Sequence, residues 1–187
     1  MARVRTFVAV EVGRAVRARC LALQSSLRRE VPGAHLAKAE PMHVTLAFLG
    51  DVEDRDLHAV CKAVDAGCAG HDAFALSLAG LGCFPNPERP RTLWAGTGEG
   101  TEELKALQAD VEAALVRTGL HRAEDRPWSP HLTLARVKEP EGVKEALEAH
   151  AGWQGGEWDV GEVLVLSSTL AREGPEYAVL SRAKLRA

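Results

Sequence analysis

Two short stretches of the sequence place groups that can move protons beside groups that can hold an anion. Pro41-Met42-His43-Val44-Thr45-Leu46-Ala47 recurs, close to half a chain length later, as Pro130-His131-Leu132-Thr133-Leu134-Ala135. In a strand, residues two apart project from one face roughly 6.5 to 7 Å apart, so His43 and Thr45 point together, as do His131 and Thr133. Val44, Leu46, Leu132 and Leu134 then face a core. An imidazole titrates near pH 6.5, so one ring can accept a proton while the other donates one. Threonine hydroxyls can donate to phosphate oxygens and steady a phosphorus held between the rings. This is phosphoester chemistry. One His-x-Thr alone would be an ordinary exposed strand face; two copies in matching apolar frames point to function. Two histidines with no Asp, Glu or Cys in a ligand pattern make an incomplete zinc site, so no metal and no cofactor are expected.

The elements that must position these groups follow from hydrophobic spacing. Strands are expected at Thr6 to Val12, His43 to Leu49, Phe74 to Leu81, Thr92 to Ala95, His131 to Val137, Val160 to Leu170 and Tyr177 to Lys184. Helical spacing links Val16, Cys20, Leu23 and Leu27, then Leu57, Val60 and Val64, then Leu104, Leu107, Val111 and Leu115 behind an N-cap at Thr101, with a short helix from Gly142 to His150. Three prolines between Phe84 and Arg91 forbid regular pairing there, and Glu173-Gly174-Pro175 reads as a turn. The connections do not suit repeated crossover helices, which predicts an α+β architecture with mostly antiparallel strands.

At 187 residues, 46% hydrophobic and 26% charged, the chain suits one domain with a substantial core, which excludes disorder and repeat arrays. A net charge of −3 excludes a protein that coats nucleic acid over its whole surface. A local basic site remains open: Arg89, Arg91, Arg122 and Arg126 are candidates to border a cleft. Glu11 interrupts the N-terminal apolar run, no stretch is long enough to cross a membrane, and Cys20, Cys61, Cys68 and Cys83 form no C-x-x-C pair. A cytoplasmic protein with buried, unpaired cysteines is expected. Trp94, Trp128, Trp153 and Trp158 read as core or rim, and His35, His58, His71, His121 and His150 as surface residues.

The stretches His43 to Gly50, Phe84 to Trp94 and Ser129 to Arg136 resemble the RNA 2′,3′-cyclic phosphodiesterases, long called 2′-5′ RNA ligases, of the two-histidine phosphoesterase superfamily. The resemblance covers essentially the whole chain. It implies a single two-lobed domain over residues 1–187, with two antiparallel sheets flanked by helices around a central cleft, related by a pseudo-twofold repeat. It implies hydrolysis of an RNA 2′,3′-cyclic phosphate end to a 2′-phosphomonoester without metal, with His43 the general acid and His131 the general base. Thr45, Thr133 and Arg136 would hold the phosphate, and Phe48 would contact a base. A monomer acting on an RNA or oligonucleotide end, with no membrane partner, is expected. The alternatives are 2′-5′ ligation by the same site and a noncatalytic nucleotide-binding module. Strand parity opposes two of these assignments. Arg136 lies five residues from His131 and Phe48 five from His43, so in regular strands both point away; a bulge, a strong twist or a strand end must intervene if Arg136 contacts phosphate, and a solvated strand-end arginine is the competing reading. For Phe48, core packing competes with base stacking.

Overall fold

The computed structural model describes residues 2–38, 41–123, 125–171 and 174–187. In chain order it contains β1 (Arg3–Glu11), α1 (Arg14–Glu30), β2 (Ala34–Leu36), β3 (His43–Glu53), α2 (Leu57–Cys68), β4 (Phe74–Phe84), β5 (Thr92–Thr97), α3 (Thr101–Arg117), β6 (His131–Val137), α4 (Val143–Ala149), β7 (Gln154–Val160), β8 (Glu162–Ala171) and β9 (Gly174–Lys184), with a short 3₁₀ turn at Asp54–Asp56 before α2.

Each long helix buries one stripe. Val16, Cys20, Leu23 and Leu27 on α1, Val60 and Val64 on α2, and Leu104, Leu107, Val111 and Leu115 on α3 join a single core with Val44, Leu46, Leu132 and Leu134 of the motif strands. Burying each such side chain stabilises the fold by about 1.5–3 kcal/mol relative to leaving it exposed. The helix side of the sheet therefore takes the alternate residues of the motif strands and leaves the His-Thr face on the other side. That opposite face carries a smaller cluster of Phe7, Ala9, Leu164 and Leu166, against which Tyr177 packs.

The strands form one hydrogen-bonded sheet in the order β7-β4-β5-β6-β3-β1-β8-β9, with β2 added beside β6. All pairings between these strands are antiparallel. The mixed, antiparallel expectation holds, but the two separate sheets do not: they are continuous through the single pair Val44↔Leu132, where β3 meets β6.

Several boundaries differ from the sequence reading. β4 runs on to Phe84, which pairs with Thr92, because the prolines begin only after it. β7 was not expected; its two glycines and polar residues hide a strand whose inner positions are Gly155 and Val160. β2 is three residues long, too short for any periodicity to show. Gly100, not Thr101, caps α3. Its φ is +79°, and a Cβ there would overlap the Ala75 carbonyl oxygen, so only glycine fits. Of the expected turn, Glu173 lies outside the described residues, while Gly174 and Pro175 begin β9.

Candidate active site

The two motif strands share one irregularity. On β3, Thr45 pairs with Ala9 and Ala47 with Val8, which makes Leu46 an extra residue. On β6, Thr133 pairs with Trp94 and Ala135 with Leu93, which makes Leu134 the extra one. Two successive side chains then turn into the core: Leu46 and Ala47 on one strand, Leu134 and Ala135 on the other. Alternation restarts one residue later than in a regular strand, which returns Phe48 and Arg136 to the histidine face. Phe48 is 44% exposed, which overturns core packing for its ring, and Arg136 is exposed as well. Of the three departures from regular pairing that could turn these side chains, a bulge is the one present, in both copies.

His43, Thr45, Phe48, His131, Thr133 and Arg136 all line one cleft of about 520 Å³. The Val44↔Leu132 pair fixes how the copies meet. Antiparallel register through that pair sets His43 toward Thr133 and Thr45 toward His131, so the histidines are diagonal neighbours, about 7–8 Å apart at the backbone in a regular sheet. That is room for a tetrahedral phosphorus between two rings.

Both rings are oriented in the same way. His43 Nδ1–H donates to the Pro41 carbonyl at 2.6 Å, and His131 Nδ1–H donates to the Ser129 carbonyl at 2.8 Å. A carbonyl can only accept, so each bond selects the tautomer with Nδ1 protonated and leaves Nε2 for proton transfer. Each ring also packs against a pair of aromatic rings that touch each other. Phe7 and Tyr177 contact His43 at centroid distances of 4.9 and 5.5 Å. Phe84 and Trp94 contact His131 at 4.9 and 6.1 Å. Burial pushes the His43 pKa below its ordinary value, against the smaller opposing effect of the Pro41 hydrogen bond.

The cations are arranged around this pair. Arg136 Nη1 donates to Thr92 Oγ1 at 2.7 Å, which leaves the rest of its guanidinium fork for the cleft. The Arg5 guanidinium lies 4.9 Å from the Phe48 ring centroid, a cation–π arrangement. Burial raises the Tyr177 pKa, and the positive charges of Arg136 and Arg5 oppose that rise.

The cleft also takes Arg5, Phe7, His35, Lys38, Ser168 and Tyr177, which the sequence reading did not select. Three of them carried a signal. Tyr177 is the one tyrosine of the chain, and Arg5 and Phe7 alternate on β1 with the core residues Val8 and Val10. Conversely, Arg89, Arg91, Arg122 and Arg126 are not among the residues lining the cleft; Arg89 and Arg91 belong to the proline-rich connection. His121 is not a surface residue: its side chain is 6% exposed and lies 3.6 Å from Glu112. His71 and His150 pair with Asp110 and Glu30, and His35 lines the cleft. The tryptophans serve the framework: Trp128 Nε1–H donates to the Thr45 carbonyl and Trp158 Nε1–H to that of Glu11. Cys20 and Cys68 are buried, which pushes their thiols up to about 11 and about 12. Among the described residues no three His, Cys, Asp or Glu side chains gather as a metal site, and no helix is long and apolar enough to cross a membrane.

Comparison with known proteins gives consistent matches. The family model described as the 2′-5′ RNA ligase superfamily matches residues 23–171. An RNA 2′,3′-cyclic phosphodiesterase of Methanothermobacter thermautotrophicus is 32% identical over 178 residues, covering 94% of this chain and 95% of that protein. Among solved structures, TT0787 of Thermus thermophilus has a TM-score of 0.77 at 31% identity, over 98% of each chain. LigT of E. coli, solved in complex with 3′-AMP, has a TM-score of 0.78 at 24% identity over 99% of each chain, a likeness of fold.

Proposed function

This chain belongs to the 2′-5′ RNA ligase superfamily, and we propose that it is an RNA 2′,3′-cyclic phosphodiesterase that opens the cyclic phosphate to a 2′-phosphomonoester by paired-histidine acid–base catalysis. The observation that carries this reading is the convergence of both bulged His-x-Thr strands on one cleft, with both Nδ1 atoms tied to carbonyls and both Nε2 atoms left for chemistry. The curated relative bearing that activity, aligned over nearly its whole length, supports it.

In the proposed reaction the cyclic phosphate sits between the rings. His131 Nε2 takes a proton from water as the water oxygen bonds to phosphorus, the P–O3′ bond breaks, and His43 Nε2–H delivers a proton to the departing 3′ oxygen. Thr45, Thr133 and Arg136 hydrogen-bond the phosphate oxygens, where negative charge grows in the transition state. Phe48 offers a face to the adjoining base. Burial disfavours the charged form of His43 in the free protein; the substrate anion brought beside the ring favours that form and helps load the proton the leaving group needs. The proposed ligand is an RNA or oligonucleotide end, in keeping with the 3′-AMP of the LigT complex. The domain is read as two lobes, one motif on each wall, related by a pseudo-twofold repeat, and the enzyme as a cytoplasmic monomer.

The test is to digest a 2′,3′-cyclic-phosphate oligonucleotide with purified protein in excess EDTA and locate the product phosphate. Turnover with a 2′-phosphate product is expected. Loss of activity in chelator would overturn the metal-independent mechanism, and a 3′-phosphate product would exchange the roles of His43 and His131.

A further inference from the structure

Beneath each bulge lies a buried glutamine. The inner stripe of α1 reads Cys20, Leu23, Gln24, Leu27 and that of α3 reads Leu104, Leu107, Gln108, Val111, with the amide at the same place in each. Gln24 is 3% exposed and Gln108 6%. An amide taken out of water is unfavourable unless it is hydrogen-bonded, so its partners indicate what it holds. Gln24 Nε2 donates to the carbonyls of Leu134 at 2.7 Å and Ala37 at 2.9 Å. Gln108 Nε2 donates to the carbonyl of Leu46 at 3.3 Å and to Glu112 Oε2 at 3.2 Å. Leu46 and Leu134 are the two extra residues of the bulges. The Leu134 carbonyl also accepts the Ala37 N–H at 2.8 Å, so Gln24 ties the bulge to the chain just beyond β2, where Ala37 lines the cleft.

We propose that Gln24 and Gln108 are positioning residues, each locking one bulge and so fixing the side chain that the bulge turns into the cleft: Arg136 through Gln24, and Phe48 through Gln108. A strand that relaxes to regular alternation slips its pattern by one residue and turns the side chain two positions beyond the extra residue, Phe48 or Arg136, toward the core. A donor rising from the helix layer opposes that slip, because the bulge carbonyl keeps its partner only while the extra residue stays in place. The inference rests on the proposed roles of Arg136 at the phosphate and Phe48 at the base.

The test is a pair of double-mutant cycles on 2′,3′-cyclic AMP, using Gln→Met to remove the donor at similar volume. Gln24→Met is expected to lower kcat/KM roughly tenfold alone and less than about twofold in an Arg136→Ala background, the coupling of two residues acting as one unit. Gln108→Met is expected to raise KM alone and to leave it unchanged in a Phe48→Ala background. The crossed combinations, Gln24→Met with Phe48→Ala and Gln108→Met with Arg136→Ala, should multiply. A merely structural role would make all four combinations multiply, and that pattern, or no loss from either single variant, overturns the proposal. If Gln24→Met does not fold, Gln24→Asn keeps a donor one methylene too short and carries the same expectation. An inert Arg136→Ala would overturn the phosphate assignment and the Gln24 claim with it. A damaging Arg136→Ala that multiplies with Gln24→Met would overturn the inference alone.

Discussion

The two motif strands are alike in backbone and unlike in surroundings. Both carry the bulge after the threonine, both fix the histidine through a carbonyl two residues earlier, and both set the ring against two aromatic neighbours. Yet His43 is the more enclosed: Phe7 and Tyr177 close around it and its proton affinity falls. His131, against Phe84 and Trp94, makes its carbonyl hydrogen bond in an exposed setting. In the proposed mechanism the shared features orient a proton-transfer atom and the difference separates the roles, as when two like groups in one site are set apart by their environments.

The comparison breaks most readily at the histidines. His43→Ala and His131→Ala should each lower kcat by about 10²–10⁴-fold, as measured on a cyclic-phosphate oligonucleotide; near-wild-type turnover from either would end the paired reading. Thermal melts sharpen it, since His43→Ala, which removes one ring of the cluster with Phe7 and Tyr177, should reduce Tm more than His131→Ala. Thr45→Ala and Thr133→Ala should weaken the reaction by about 1.5–3 kcal/mol each, the range for hydrogen bonds to charged groups. Their losses should be similar, and a silent Thr133→Ala would show that the copies do not share the phosphate.

Smaller effects should appear in pH dependence. An acid must be protonated, so the His43 limb of a kcat/KM profile is the basic one, and its lowered pKa places that limb below 6.5. Tyr177→Ser, which opens the ring to water, should move it upward. The smallest effect is on stability. A histidine whose pKa falls on folding leaves the unfolded chain binding more protons, so stability declines as pH drops from 6.5 toward the folded value. Denaturant melts of His43→Gln should lack that part of the decline; an unchanged slope would mean that burial does not govern this ring.

Much of the site was legible because strand parity and apolar framing sit close together in sequence: His43, Thr45, His131 and Thr133 all face the cleft as their spacing predicts. Parity also flagged Arg136 and Phe48 as anomalies, and the anomaly was the bulge itself. Illegible parts depended on distant chain. Phe7 and Tyr177 reach His43 from β1 and β9, and no local pattern connects them. β7 escaped notice because its inner positions include Gly155, where a Cβ would collide with the Trp153 ring. Gln24 and Gln108 did leave a trace, a polar residue repeated at one place in two apolar stripes, visible once the helices are set side by side.

The bulges bear finally on which length changes the motif can absorb. Deleting Ala47 would remove the bulge at Leu46 and set the phenylalanine two residues after Thr45, so the same side chains would face the cleft. Their identities and order would survive. What would go is the extra right-handed twist that a bulge adds and the carbonyl it presents to the helix layer. The angle at which phenylalanine and arginine leave their strands is thus encoded in a residue count, and a chain one residue shorter could keep every cleft-facing side chain while aiming them differently.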